Sequence, residues 1–352
     1  MTTPLIPTEW VAYKTKSQRL PDGLLFIGDP HLSQRCPGRR LDANFAETVL
    51  DKLHQAITEA NHQNLVPVIL GDLFQAPRDA TPWLFSRLFS VLLRSEHHPI
   101  TNLGNHDKHE TSLTPDCSLW ALAESGAIHV MHTADTCALT IPLQDGLLAL
   151  LGVPYGQEVP KSIVSPCPPD RTVIITHEDF NFGGHYPGAK PLHAVQGASL
   201  LVNGHMHDTK PIEVRGGTVC FNPGNITRQT VDLRYHEPSV WSWRPGERQP
   251  SRHVLTHVPG DAIFDLTGIQ VIAAGQEAVA AEMAVPESLF AQLLANTNTL
   301  DQERTADGAF LFEEIAAVLT EQGITADHPI AQILNNLVDK AIEEQNGDPS
   351  PS

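Results

Sequence analysis

Apolar and polar positions alternate in blocks along the first hundred residues. Residues 23–28, GLLFIG, form an apolar run of strand length that ends in the polar DPH. Residues 43–60, ANFAETVLDKLHQAITEA, place Phe45, Val49, Leu53 and Ile57 at helical spacing, so that one face of a helix is apolar. LVPVILGD follows, a second apolar run closed by an acid. Residues 81–94, TPWLFSRLFSVLLR, read as a helix with Thr81 as N-cap and Pro82 at the first helical position. HPITNLGNHD is a third run with a polar end. Strand, helix, strand, helix, strand is the order of an α/β layered domain.

From about residue 128 to 260 short β-rich runs dominate: AIHVMH, CALTIPL, LLALLGVPY, TVIITHE, SLLVNGH, TVCFNPG, SVWSW and RHVLTHV. Turns rich in Pro and Gly separate them, and the pattern predicts a second sheet packed on the first. After residue 260 three amphipathic helical segments are expected: around Leu289–Leu294, Phe310–Leu319 and Ile330–Ile342. The expected organisation is a domain over 1–260, a small, mainly helical accessory domain over 261–345, and a disordered tail over 346–352.

Composition narrows the function classes. The net charge is −18 with only 23 Lys and Arg, which opposes a general DNA-coating role; it leaves open an enzyme whose metal ions supply local positive charge. No apolar run approaches the roughly 18 residues needed to cross a bilayer, and no signal peptide is visible. The five cysteines include no CxxC pair and read as reduced thiols of a cytoplasmic protein.

Five apolar runs end in polar clusters: Asp29 and His31 in GDPH, Asp72 in LGDLF, Asn105, His106 and Asp107 in LGNHD, His177 in ITHED, His205 and His207 in NGHMH; all but His106 and Asp107 are counted as candidate metal ligands. Ligands of α/β sheets bind at the carboxyl ends of strands. A mixed oxygen and nitrogen set suits Mn²⁺, Fe²⁺ or Zn²⁺, and seven candidate ligands suit two ions about 3.5–4 Å apart. A single residue between His205 and His207 would put both on one side of an extended segment.

The order D-x-H, GD, GNHD, H, GHxH resembles the calcineurin-like metallophosphoesterase superfamily over residues 23–225. GDLF, GNHD and the later NPGNITR are closest in style to the branch containing the Mre11 and SbcD DNA-repair nucleases. The resemblance implies a four-layer α/β/β/α sandwich of two packed mixed sheets with a C-terminal helical appendage. It implies two divalent ions, Mn²⁺ foremost with Fe²⁺ or Zn²⁺ as alternatives. Asp29, His31 and His207 would hold the first; Asn105, His177 and His205 the second; Asp72 would bridge. His106 would act as acid on the leaving oxygen after attack by a metal-bridged hydroxide, with Asp107 orienting it. DNA is then the expected substrate, with an ATPase partner at the C-terminal helices; homodimerisation is left open.

Two other readings stand beside it: a phosphatase or phosphodiesterase acting on nucleotides or another small phosphoester, which the acidity favours, and a non-catalytic metal-bound scaffold, against which the intact His106 weighs. Smaller features have a functional and a plain reading each. RCPGRR (35–40) and Arg228 could reach phosphate or sit in ordinary turns. The loop NFGGHYPGAKPLH (181–193), with His185 and Tyr186, could face substrate or only solvent. Asn225 could lie near the metals.

Overall fold

Two β-sheets packed face to face form the centre of the fold, and the candidate site lies along one rim of both. The computed structural model describes residue 7 and residues 9–109, 112–133, 136–183 and 189–267. The expected helical accessory domain and the tail lie outside the described residues from 268 onwards. In chain order the first half runs β1 (Val11–Ala12), β2 (Gly23–Ile27), α1 (Phe45–Gln63), β3 (Leu65–Ile69), α2 (Pro82–Leu93), β4 (Ile100–Asn102), α3 (Ser118–Glu124) and β5 (His129–Met131). The second runs β6 (Ala138–Leu143), β7 (Gly146–Val153), β8 (Thr172–His177), β9 (Phe180–Asn181), β10 (Lys190–Pro191), β11 (Leu200–Gly204), β12 (Glu213–Arg215), β13 (Thr218–Phe221), β14 (Ser239–Trp243) and β15 (Ser251–Val254).

The helices start and stop where the local chemistry directs. Asn44 caps α1 by accepting from the Glu47 N–H, and Asn64 ends it in the left-handed conformation that Asn tolerates. Thr81 caps α2 by accepting from the Leu84 N–H, with Pro82 in the first turn. Phe45, Val49, Leu53 and Ile57 are all buried, as their spacing predicts.

One sheet has six strands in the order β15-β14-β2-β3-β4-β5, the other seven in the order β1-β6-β7-β8-β11-β13-β12. Both are mixed. β2, β3, β4 and β5 run parallel, and β14 joins β2 antiparallel. In the second sheet β7, β8, β11 and β13 are parallel, with β6 and β12 antiparallel on either side. Alternate residues of a strand face opposite ways, so β2 sends Leu24 and Phe26 between the sheets and Leu25 and Ile27 towards the helices. The inter-sheet core joins Leu24, Phe26, Val66 and Val68 to Leu150, Val173, Ile175 and Val202. α1, α2 and α3 cover the outer face of the six-stranded sheet.

The two-sheet sandwich with a helical outer layer is therefore present. Its second outer layer differs in texture. Val159, Ile163, Phe180 and Val195 cover the far face of the seven-stranded sheet from loops and the β9–β10 pair, not from helices, among the described residues. Three strands expected in the second sheet belong to the first: AIHVMH supplies β5, SVWSW supplies β14 and RHVLTHV supplies β15. For SVWSW and RHVLTHV the cause is the open edge of β2, which a late antiparallel strand can pair as readily as an early parallel one; AIHVMH instead extends the sheet in parallel on β4. All five residues of β14 are buried, a pattern that suits either sheet. Packing of this unit also runs past residue 260: the Leu41 N–H donates to Ile263 O and the Asp265 N–H to Arg39 O.

Candidate metal centre

The carboxyl ends of β2, β3 and β4 from one sheet meet those of β8 and β11 from the other. Asp29 and His31 follow β2, Asp72 follows β3, and Asn105, His106 and Asp107 follow β4; His177 ends β8, and His205 and His207 follow β11. The structure brings all nine together. His31 Nε2 lies 2.8 Å from His207 Nε2 and 3.5 Å from Asp72 Oδ2. His177 Nε2 lies 3.1 Å from Asp72 Oδ2, and its Nδ1 is 3.8 Å from Asp29 Oδ1. His205 Nδ1 lies 3.1 Å from Asn105 Oδ1.

Three of these residues have a left-handed backbone that side chains rarely adopt: His31 (φ 47°), Asp72 (φ 47°) and His205 (φ 70°). Such positions cost on the order of 1–3 kcal/mol each and cluster where a fixed geometry serves function. His205 also overturns one expectation. β11 stops at Gly204, so the GHMH segment is not extended; the left-handed turn at His205 sends its ring towards Asn105 while His207 reaches His31.

The electrostatics fit divalent cations. Asp29 and His177 are about 1% exposed, yet both Asp29 oxygens and His177 Nε2 lack a hydrogen-bond partner among the described residues. His177 Nε2 is close to Asp72 without being aligned on it as a donor. Buried polar atoms in native proteins are normally partnered, and a cation accounts for a converging set that is not. The separations of 2.8–3.5 Å between donor atoms match the edges of a coordination shell, about 3 Å for metal–ligand bonds of about 2.1 Å. Without a metal, burial pushes the Asp29 carboxyl above its ordinary range, against the pull of His177 and His207. Burial pulls His31 and His207 down, leaving them neutral as ligation requires. Burial also pulls His177 down, but Asp72 and Asp29 outweigh it and hold His177 at about 10. Burial raises Asp72, and the imidazoles of His177, His31 and His106 more than reverse that, taking it far below the carboxylate range.

Outer contacts orient the inner ones. The His177 Nδ1–H donates to Leu70 O at 3.0 Å, which leaves Nε2 as the atom available for ligation once its proton is displaced. His205 Nε2 is 3.1 Å from Asp179 Oδ2, so Asp179 holds this ring. Burial raises Asp179, but the bond from His205 and the nearby imidazole charge take it below its ordinary value. His106 Nδ1–H donates to Gln75 O at 2.7 Å, which turns Nε2 towards the site. This corrects the role expected of Asp107. Its oxygens accept from the Phe74 and Gly104 N–H groups, both at 3.1 Å, so it fixes the two loop backbones and Gln75 orients the imidazole. Burial and the Asp72 charge push Asp107 up to about 7. Asp179 and Gln75 carry no motif; only the acid two residues after His177 in ITHED offered a signal.

The remaining sequence features separate. Asn225 is fully buried with both side-chain polar atoms unpartnered, its N–H donating to His207 O. Arg228 turns away from the site and donates to Arg234 O and Val258 O. In 35–40, Arg40 is buried against Asp42 and Arg228 O, and Arg39 donates to Asp265 O and Thr267 O. His185 and Tyr186 lie outside the described residues. The exposed His109 and Asp116 and the buried Cys117 also have donor atoms in range of one another, but Arg78 already pairs with Asp116. No helix among the described residues is long and apolar enough to cross a membrane.

No family model matches the chain, and no curated protein matches it. Solved structures that it is similar to include TT1561 of Thermus thermophilus, at 11% identity and TM-score 0.39 over 66% of this chain and 97% of that one. A 5'-nucleotidase precursor from the same organism matches at 12% identity and TM-score 0.39, over 79% of this chain and 59% of that one. The NAD nucleotidase of Haemophilus influenzae matches at 13% identity and TM-score 0.39, over 66% of this chain and 50% of that one. These likenesses are too distant to carry a function across.

Proposed function

We propose that this protein is a dinuclear-metal phosphodiester hydrolase. The observation that carries this reading is the convergence of seven donor side chains from five strand ends of two sheets, three of them on left-handed backbone. Asp29, His31 and His207 would hold one ion; Asn105, His177 and His205 the other; Asp72 would face both. Bound divalent ions would supply charge neutralisation on the phosphate oxygens and a nucleophilic water at neutral pH. The protein's own part is positional. Leu70 O and Asp179 hold two imidazoles in the tautomer that ligation needs. His106, braced at Nδ1 by Gln75 O, presents Nε2 to the leaving oxygen and can give it a proton, worth about 10²–10⁴ in rate.

The finer reading is a DNA nuclease of the Mre11 and SbcD kind, using Mn²⁺ and an ATPase partner at the C-terminal segment. The motif style supports it. So does the placement of charge: residues 268–352 hold 14 Asp and Glu against 2 Lys and Arg, so the catalytic part is far less acidic than the whole chain. A small nucleotide phosphoester is the second reading. The burial of Arg40 and Arg228, both engaged in internal bonds, favours it by withdrawing two arginines from a DNA backbone.

The test is hydrolysis by Mn²⁺-loaded protein of end-labelled duplex DNA, single-stranded DNA, bis-p-nitrophenyl phosphate and nucleoside monophosphates, with His106→Ala alongside. Shortened DNA with an inactive variant supports the nuclease. Cleavage of the small esters alone removes DNA from the reading. Two bound metals with no cleavage of any substrate would count against an enzyme and favour the scaffold.

A further inference from the structure

Away from the metal centre, a cavity of about 490 Å³ lies between α1 and the chain segments around Thr227, Thr256–Val258 and Ile263. Three cations line it, and each is more than nine-tenths buried: Arg228 at 4% exposure, Lys52 at 6% and Arg40 at 8%. Their partners differ. Arg40 holds Asp42 through two bonds, at 2.6 and 2.8 Å. Among the described residues Lys52 donates to Thr256 O alone, and Arg228 to the carbonyls of Arg234 and Val258 alone. Among the described residues no carboxylate forms an ion pair with Lys52 or Arg228. The Arg228 Nε–H is buried and has no hydrogen-bond partner among the described residues.

The acids on the cavity wall are committed elsewhere. Asp42 is taken by Arg40 and also accepts from Thr48, Glu47 pairs with Arg87, and Asp51 accepts from Gln55. Two buried cations therefore face a cavity in which, among the described residues, the one carboxylate outside an ion pair, Asp51, bonds to Gln55 and pairs with neither of them. Burial draws both Lys52 and Arg228 below their ordinary values, more strongly than the charges of Asp51 and Asp42 raise them, which is the cost of keeping only partly compensated charge there. An oxyanion would remove that cost and give the Arg228 Nε–H and the remaining Lys52 protons acceptors.

We infer that this cavity binds an oxyanion of the phosphate class, either free phosphate or the phosphate end of a small ester, at Lys52 and Arg228. The site is independent of the metal centre, and its test keeps the two apart. Full-length Asp72→Asn protein, stripped of metal, is melted in inorganic phosphate, in glycerol 1-phosphate and in chloride at equal ionic strength. Phosphate at ten times its dissociation constant should raise Tm by about 3–6 °C over chloride and saturate. A response to inorganic phosphate alone supports a free-anion site; a matching response to glycerol 1-phosphate supports an ester end. Lys52→Gln should lower the affinity at least tenfold, and Lys52→Arg should restore most of it. Isothermal titration of unmutated, metal-stripped protein with phosphate is the companion measurement should Lys52→Gln fail to fold. The inference is overturned by the absence of a phosphate-specific shift and binding heat, or by Lys52→Gln binding phosphate as tightly as the parent.

Discussion

Gly104 stands immediately before Asn105, and its neighbour across the site is Asp72. A Cβ at residue 104 would lie 2.0 Å from Asp72 Oδ1, 2.4 Å from Asp72 N and 2.7 Å from Asp72 Cγ. The backbone of Gly104 is not left-handed, so Gly104→Ala acts through contact alone. An ordinary carbon–oxygen contact begins near 3.4 Å, which requires a displacement of about 1.4 Å. Rotating the carboxylate cannot supply it, because the same methyl also meets the Asp72 main chain. The displaced group is the one that accepts the His106 N–H at 2.8 Å and faces His177 and His31. Metal sites tolerate about 0.2 Å in ligand distance, and a 1 Å misplacement costs about 10² in rate. The expected outcome is loss of one or both metals and a fall of at least 100-fold in diesterase activity. Overpacking of about 1–3 kcal/mol would lower Tm by about 2–10 °C, leaving a folded chain at 25 °C. The assay measures metal per chain by mass spectrometry, turnover of bis-p-nitrophenyl phosphate, and circular dichroism. Gly246→Ala is the control: at φ 90° with nothing within 4 Å of its Cβ, it costs backbone strain only and should leave activity unchanged. A folded Gly104→Ala protein with two metals and turnover within threefold of the parent would refute the reasoning.

Three further outcomes follow from the same geometry. Because His177 is held at about 10 without metal, loading the site at pH 7 must expel its proton; metal affinity should rise about tenfold per pH unit between pH 6 and 8, and calorimetry in buffers of differing ionisation heat should count at least one proton released. Asp107→Asn replaces one acceptor of two loop N–H groups with a donor and should destabilise the protein by about 1–3 kcal/mol in urea titration; no loss of stability would mean that the Phe74 and Gly104 bonds are not what Asp107 provides. Cys36 is the exposed thiol and should react alone with a disulfide reagent at pH 8, whereas Cys137 and Cys220, pushed up to about 12 by burial, should react only after unfolding.

The residues that converge in the candidate site were legible in the sequence because each sits close behind an apolar run, and a strand's end is visible where apolar residues stop. Their partners were not legible. Nothing local links Gln75 to His106 or Asp179 to His205; those pairings exist only once two sheets are aligned. Asp107 is adjacent to His106 in sequence yet faces the other way, since its oxygens are taken by main-chain donors of the same turn and of the Asp72 loop. Arg228 follows a motif that borders the site, but a buried guanidinium goes where carbonyls satisfy it, here Arg234 and Val258. α3, SLWALAE, is too short for its periodicity to emerge. The sheet to which SVWSW belongs depends on which strand edge is open, and that is a property of the assembled chain.

That edge has a consequence for synthesis. β2 is flanked by β3 and β14, and all five of its residues are buried. The neighbour on one side arrives some forty residues later in the chain, the other only with Ser239–Trp243. While the ribosome makes the stretch between, GLLFI stands as an apolar strand with one ladder of N–H and C=O groups unpaired, the kind of edge that recruits other chains. Truncations ending before residue 239 should therefore aggregate even when they retain every residue of the candidate site, and a co-expressed β14–β15 hairpin should return them to solution.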